Sequence, residues 1–228
     1  MTIDLDPRLT TSHDQAAPTR HSRQGWTRAG LLGGVAGLAA LLVSSSLSSD
    51  TTLATDNTKL VPTLAGKGPT IWISQVLFVA AAAGLVIFAA GLRRRLREHE
   101  PVGSLVPTIA STGLLLTAAA TLIGGGLCTE LYWDLANIQK VDPQTIAAML
   151  PFLNTIGWLW AGIGLASASL VVAAKHGSVC RAEGRFSLVI TVLIGATQLV
   201  PLQYLAGFVG PLWLIVTAVV MGRQERTA

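Results

Sequence analysis

Residues 186–221 read FSLVITVLIGATQLVPLQYLAGFVGPLWLIVTAVVM, an apolar run that contains no charged residue. As one helix it would be about 54 Å long at about 1.5 Å per residue, against a hydrocarbon core about 30 Å thick. The run must therefore fold back once, and Pro201, Gln203 and Gly207 supply the break near its middle. The hairpin divides it into spans 186–204 and 207–221, and it returns Arg223 and Arg226 to the side from which the chain came.

Four earlier runs, 29–48, 71–92, 102–127 and 152–174, are also long and apolar enough to cross. Six crossings put both termini on one side. On that side fall Arg8, Arg20, Arg23, Arg28, Arg93, Arg94, Arg95, Arg97, Lys175, Arg181, Arg185, Arg223 and Arg226, whereas only Lys59, Lys67 and Lys140 fall on the other. Basic residues are retained in the cytoplasm, so both termini are expected there. A five-span reading would strand Arg223 and Arg226 outside. The expected fold is all-α, a polytopic membrane helical bundle of six transmembrane helices.

The flanks agree with this threading. Trp72 opens the second span at the outer interface, and the arginines of RRRLR stop it. Pro107 lies in the first turns of the third span, where a missing backbone donor is tolerated, and Gly124 to Gly126 predict a kink or a close helix approach at its outer end. Residues 1–28 are polar, lack an apolar stripe and read as a disordered cytoplasmic tail. Residues 29–222 form the membrane domain and 223–228 a second tail. Ser49 to Thr70 reads as an outer loop. The segment from Cys128 to Asn154 reads as partly amphipathic and interfacial, because Leu131, Leu135 and Ile138 have helical spacing and Asp142 and Pro143 can start a turn. The long polar leader makes an uncleaved first span the expected form.

Composition agrees. Hydrophobic residues make up 51% of the 228 and charged residues 12%, about half the charge of an average soluble domain. The mean hydropathy is +0.57. The basic pI, near 9.5, comes from small groups flanking apolar spans, a pattern suited to anionic headgroups and not to nucleic acid. The bilayer is the expected partner, and a second membrane protein or another copy of the chain fits within it.

Chemistry is sparse. His13, His21, His99 and His176 all lie in expected tails or loops, so no histidine projects mid-span to ligate haem or to build an intramembrane zinc site. Cys128 and Cys180 fall on opposite sides, and no CxxC is present. No cofactor is expected. AGKGPT around Lys67 lacks phosphate-loop spacing. Glu130 and Asp134, four apart, share a helix face beside Tyr132 and Trp133, with Asp142 nearby, and form an outer polar cluster suited to acid/base or cation chemistry or simply to a solvated, aromatic-anchored boundary. Within the spans the polar candidates are the amides Gln75, Asn154, Gln198 and Gln203. They would serve a carrier if they converged on one cavity, or helix association if dispersed. The lack of ionisable groups mid-span argues against an ion-coupled pump. Gly30/Gly34 and Gly33/Gly37 are overlapping GxxxG pairs, and Gly157/Ala161 and Gly162/Ala166 give small faces, all expected to close helices within one bundle.

The outer segment between spans three and four, the short inner loop KHGSVCRAEGR and a terminal hairpin ending in PLWLIVTAVVMGR together resemble a group of uncharacterised bacterial six-span integral membrane proteins. The commoner Pro-Arg before the fifth span is replaced here by Glu183, Gly184 and Arg185. The resemblance implies a bacterial plasma membrane and carries no activity or site residue. The expectation is a non-enzymatic accessory or lipid- or partner-binding bundle. Its alternatives are a carrier of neutral or hydrophobic solute and an outer-face enzyme using Glu130 and Asp134.

Overall fold

Helix start and stop signals divide the described residues into eight α-helices. The computed structural model describes residues 20–48, 57–200 and 202–227, with side chains described for 25–47, 59–200 and 202–226. The helices are α1 (Arg20–Ser48), α2 (Asn57–Ala65), α3 (Gly68–His99), α4 (Val106–Ala136), α5 (Pro143–Leu159), α6 (Gly162–His176), α7 (Arg181–Leu199) and α8 (Ala206–Thr227). A 3₁₀ turn, Gln203–Leu205, precedes α8, and no strand occurs among the described residues. Residues 1–19 of the expected tail lie outside the described residues, and 20–28 already belong to α1.

Prolines sit in the first turn of α3, α4 and α5, where their missing N–H has no acceptor to lose. Asp142 caps α5, its Oδ1 accepting from the Gln144 N–H at 2.9 Å. Gly177 ends α6 at φ +82°, a left-handed conformation that glycine adopts without a Cβ penalty, while Ser178 N–H closes back on Ala173 O at 2.9 Å.

Among the described residues, five segments are long and apolar enough to cross a membrane: Gly25–Leu47, Gly68–His99, Val106–Ala136, Pro143–His176 and Gln203–Arg226. The fourth begins earlier than expected because Asp142 and Pro143 start α5 itself, and α5 and α6 meet at a break around Trp160 and Ala161. α7 is not among the five; its first turns carry Arg181, Glu183 and Arg185. It still runs antiparallel to α6, since Gly184 meets Ala174 near one end and Gly164 meets Ile194 near the other.

Two further expectations change. Part of the expected loop 49–70 is α2, a helix whose Leu60, Val61 and Leu64 are buried and which packs on α5; residues 49–56 lie outside the described residues. Residues 128–136 are the last turns of α4 and not a separate interfacial segment, because the helix continues unbroken through Gly124 to Gly126.

α3 is central and packs on α1 and α4. At the α1–α3 crossing Gly33 faces Gly84 so closely that a Cβ on Gly33 would lie 2.9 Å from the Gly84 Cα. On the other residues of the same stripe, Gly30 meets Phe88, Gly34 meets Ile215 of α8 and Gly37 meets Trp160. Both GxxxG pairs are thus used inside the bundle. Gly113 and Gly162 bring α4 and α6 together, and Gly157 and Gly207 do the same for α5 and α8. Core hydroxyls are mostly satisfied on their own helix: Thr117 donates to Gly113 O at 3.0 Å and Thr121 to Thr117 O at 2.6 Å, which spares an apolar interior an unpaired donor. Trp160, Trp213, Phe78 and Phe88 are fully buried. The outward surface keeps large apolar side chains such as Val76, Ile87, Leu116, Ile123 and Val192, a surface compatible with lipid.

Candidate functional site

The polar residues that the fold draws together lie at the arginine-rich end of the bundle. There the last turns of α3 and α8 meet the early turns of α1 and α7. Trp26 Nε1 donates to Glu225 Oε1 at 2.9 Å, and its ring packs on Phe88 with centroids 5.2 Å apart. Arg95 Nη2 donates to Gln224 Oε1 at 2.6 Å and Nη1 to Met221 O at 3.4 Å, and Nη1 stands 3.9 Å from Glu225 Oε1. RRRLR therefore does more than stop a span: its third arginine ties α3 to the C-terminal turns of α8.

Sequence reasoning also misplaced Glu183. Expected in an inner loop, it is 3% exposed in the first turn of α7. Thr217 Oγ1 of α8 donates to its Oε1 at 2.7 Å, and the charge of Arg95 acts on it. One turn on, Ser187 Oγ accepts from Trp213 Nε1 at 3.0 Å. Another turn on, Thr191 shares a 2.8 Å hydrogen bond with Ser167 of α6, and Gln198 Oε1 accepts from Trp158 Nε1 at 2.7 Å. Glu183, Ser187 and Thr191 recur every fourth residue, the one helical period that could have marked a polar face on α7.

A second polar clasp joins the α3–α4 and α6–α7 turns. Glu100, whose side chain is 1% exposed, accepts from Ser104 Oγ at 2.9 Å and meets His176 Nδ1 at 2.8 Å. Burial opposes its charge, but the hydrogen bonds from His176 and Ser104 and the charge of His176 outweigh burial and hold its carboxyl below the usual range.

Of the four amides, only Asn154 lines the cavity beside Tyr204 and Phe208. Gln198 is bonded to Trp158, and the Gln75 backbone lies against Gly125 of α4. Asn154 borders a cavity of about 320 Å³ with Ser44, Ser45, Tyr204 and Phe208, and neither Gln198 nor Gln203 lines it. Among the outer candidates Glu130 is exposed and Asp134 half-buried on consecutive turns of α4. Trp133 is 59% exposed and Tyr132 packs edge-on against it, centroids 5.7 Å apart. Asp142 is exposed and occupied as the α5 cap. Among the described residues, no three His, Cys, Asp or Glu side chains come together as metal ligands. Cys128 is buried and Cys180 exposed, both as free thiols.

The chain matches no family model, no curated protein and no solved structure.

Proposed function

We propose that the chain is a non-enzymatic multi-pass membrane protein that works by holding lipid or a protein partner. In this reading α7 is a sixth span, the arginine-rich end and both termini face the cytoplasm, and the host is a bacterial plasma membrane. The observation that carries the proposal is the engagement of α7. Its polar side chains Glu183, Ser187, Thr191 and Gln198 are each bonded to a neighbouring helix, so they stitch α7 into the bundle.

Native mass spectrometry of the tagged protein, released gently from its own membrane, tests this reading. A stoichiometric protein or lipid adduct is the expected result. A bare protein, or one carrying only a soluble small molecule, overturns it. The carrier reading retains one favourable observation, the cavity beside Asn154; it requires that Asn154→Leu abolish uptake of some neutral solute into vesicles.

A further inference from the structure

The tip of the α6–α7 hairpin holds an unspent positive charge. An open cavity of about 660 Å³ there is bordered by Lys175, His176, Arg181 and Arg185 together with the apolar Val171 and Leu188, and none of its lining residues is acidic. Lys175, Arg181 and Arg185 make no hydrogen bond or ion pair with any described residue. The acids that meet this hairpin are occupied elsewhere, Glu183 by Thr217 and Glu100 by His176. α7 begins at this cavity without a side-chain cap, so the partial positive charge of its first turn adds to the three full charges.

The cavity is not solely polar. Leu188 lines it, and Leu188 and Val192, one turn apart on α7, are both exposed. A ligand with a phosphate for the basic side chains and a hydrocarbon tail for this stripe matches both parts, whereas a free phosphate matches only the first.

We propose that the α6–α7 notch binds the phosphate headgroup of an anionic phospholipid, with an acyl chain lying along Leu188 and Val192. The proposal rests on the membrane-bundle reading above and names the lipid class.

The test uses the full-length protein in detergent with equimolar phosphatidylglycerol and phosphatidylcholine, read by native mass spectrometry. Wild type is expected to keep one phosphatidylglycerol under activation that strips phosphatidylcholine. Arg181→Gln/Arg185→Gln is expected to lower that occupancy by on the order of ten-fold or more. The charge-matched control Arg94→Gln/Arg97→Gln, on exposed residues of α3, is expected to keep it, with unchanged melting temperatures reporting intact folds in both. Equal loss in the two variants would reduce the effect to diffuse charge, and equal retention would remove the site; either overturns the proposal. Displacement of the lipid by millimolar inorganic phosphate alone would overturn the commitment to a lipid. A wild type that retains other lipids or a protein partner but no phosphatidylglycerol sinks the headgroup site alone, whereas a bare protein sinks the broader reading as well.

Discussion

Glu183 has exchanged water for one hydroxyl donor, an exchange that makes Thr217 the residue on which it depends. Thr217→Val keeps the shape and deletes the donor, which should cost about 1–3 kcal/mol because a buried acceptor is left unmade. Thr217→Ser should stay near wild type. Thermal unfolding in detergent reads the difference, and a Thr217→Val melt matching wild type would refute the dependence. Glu100 gives a pH signature. The fold favours its ionised form, so its contribution is complete above the ordinary carboxylate range and is lost as pH falls through the depressed folded value. Glu100→Gln should therefore melt below wild type at neutral pH, and the gap should close in acid; a constant gap from pH 7 to pH 3 would contradict the clasp. In the sequence, the charges at 183 and 185 both look like flanking loop charges. What separates them is long-range: Glu183 meets Thr217, while Arg185 borders an open cavity.

Among the elements, the glycines of α1, α3 and α4 divide by what they face. A Cβ on Gly84 would collide with the Gly33 backbone and the Ala29 carbonyl, whereas Gly126 has open space around it. Gly84→Ala should destabilise by about 1–3 kcal/mol through forced separation of α1 and α3, and Gly126→Ala should be neutral or gain up to about 1 kcal/mol from helix propensity. Equal effects in a melting assay would refute the α1–α3 packing. Apolar runs and arginine stops were readable in the sequence because each is local and helix-periodic. α2 was not readable: NTKLVPTLA is short, with a lysine and a proline, and its burial depends on α5. The α5–α6 break was equally hidden, because no proline or turn cluster marks Trp160 and Ala161.

For the whole molecule, the two cysteines are natural reporters. Cys180 is exposed at the start of α7 and Cys128 is fully buried in α4. In sealed vesicles an impermeant maleimide should label Cys180 only from the face bearing the termini and should reach Cys128 only after unfolding. Labelling of Cys180 from the opposite face would reverse the proposed threading. The candidate sites were legible in the sequence as residue types and not as constellations. The outer carboxylates are arranged along one face of α4 and at the α5 cap, and of the amides only Asn154 borders the cavity beside Tyr204. The densest polar contacts arise instead where distant helix ends converge, a property of three-dimensional assembly that spacing along the chain does not carry.

The polar stitching of α7 also sets a schedule for biosynthesis. A chain emerging from the ribosome exposes Glu183 and Ser187 before Thr217 and Trp213 have been made, so for that interval α7 carries a carboxylate and a hydroxyl whose partners do not yet exist. In the proposed six-span threading its commitment to the bilayer waits for α8, and the two enter as a pair. A message truncated after Leu205 should yield a product whose α7 stays accessible to protease and is cleared by quality control, while the helices made before it remain inserted.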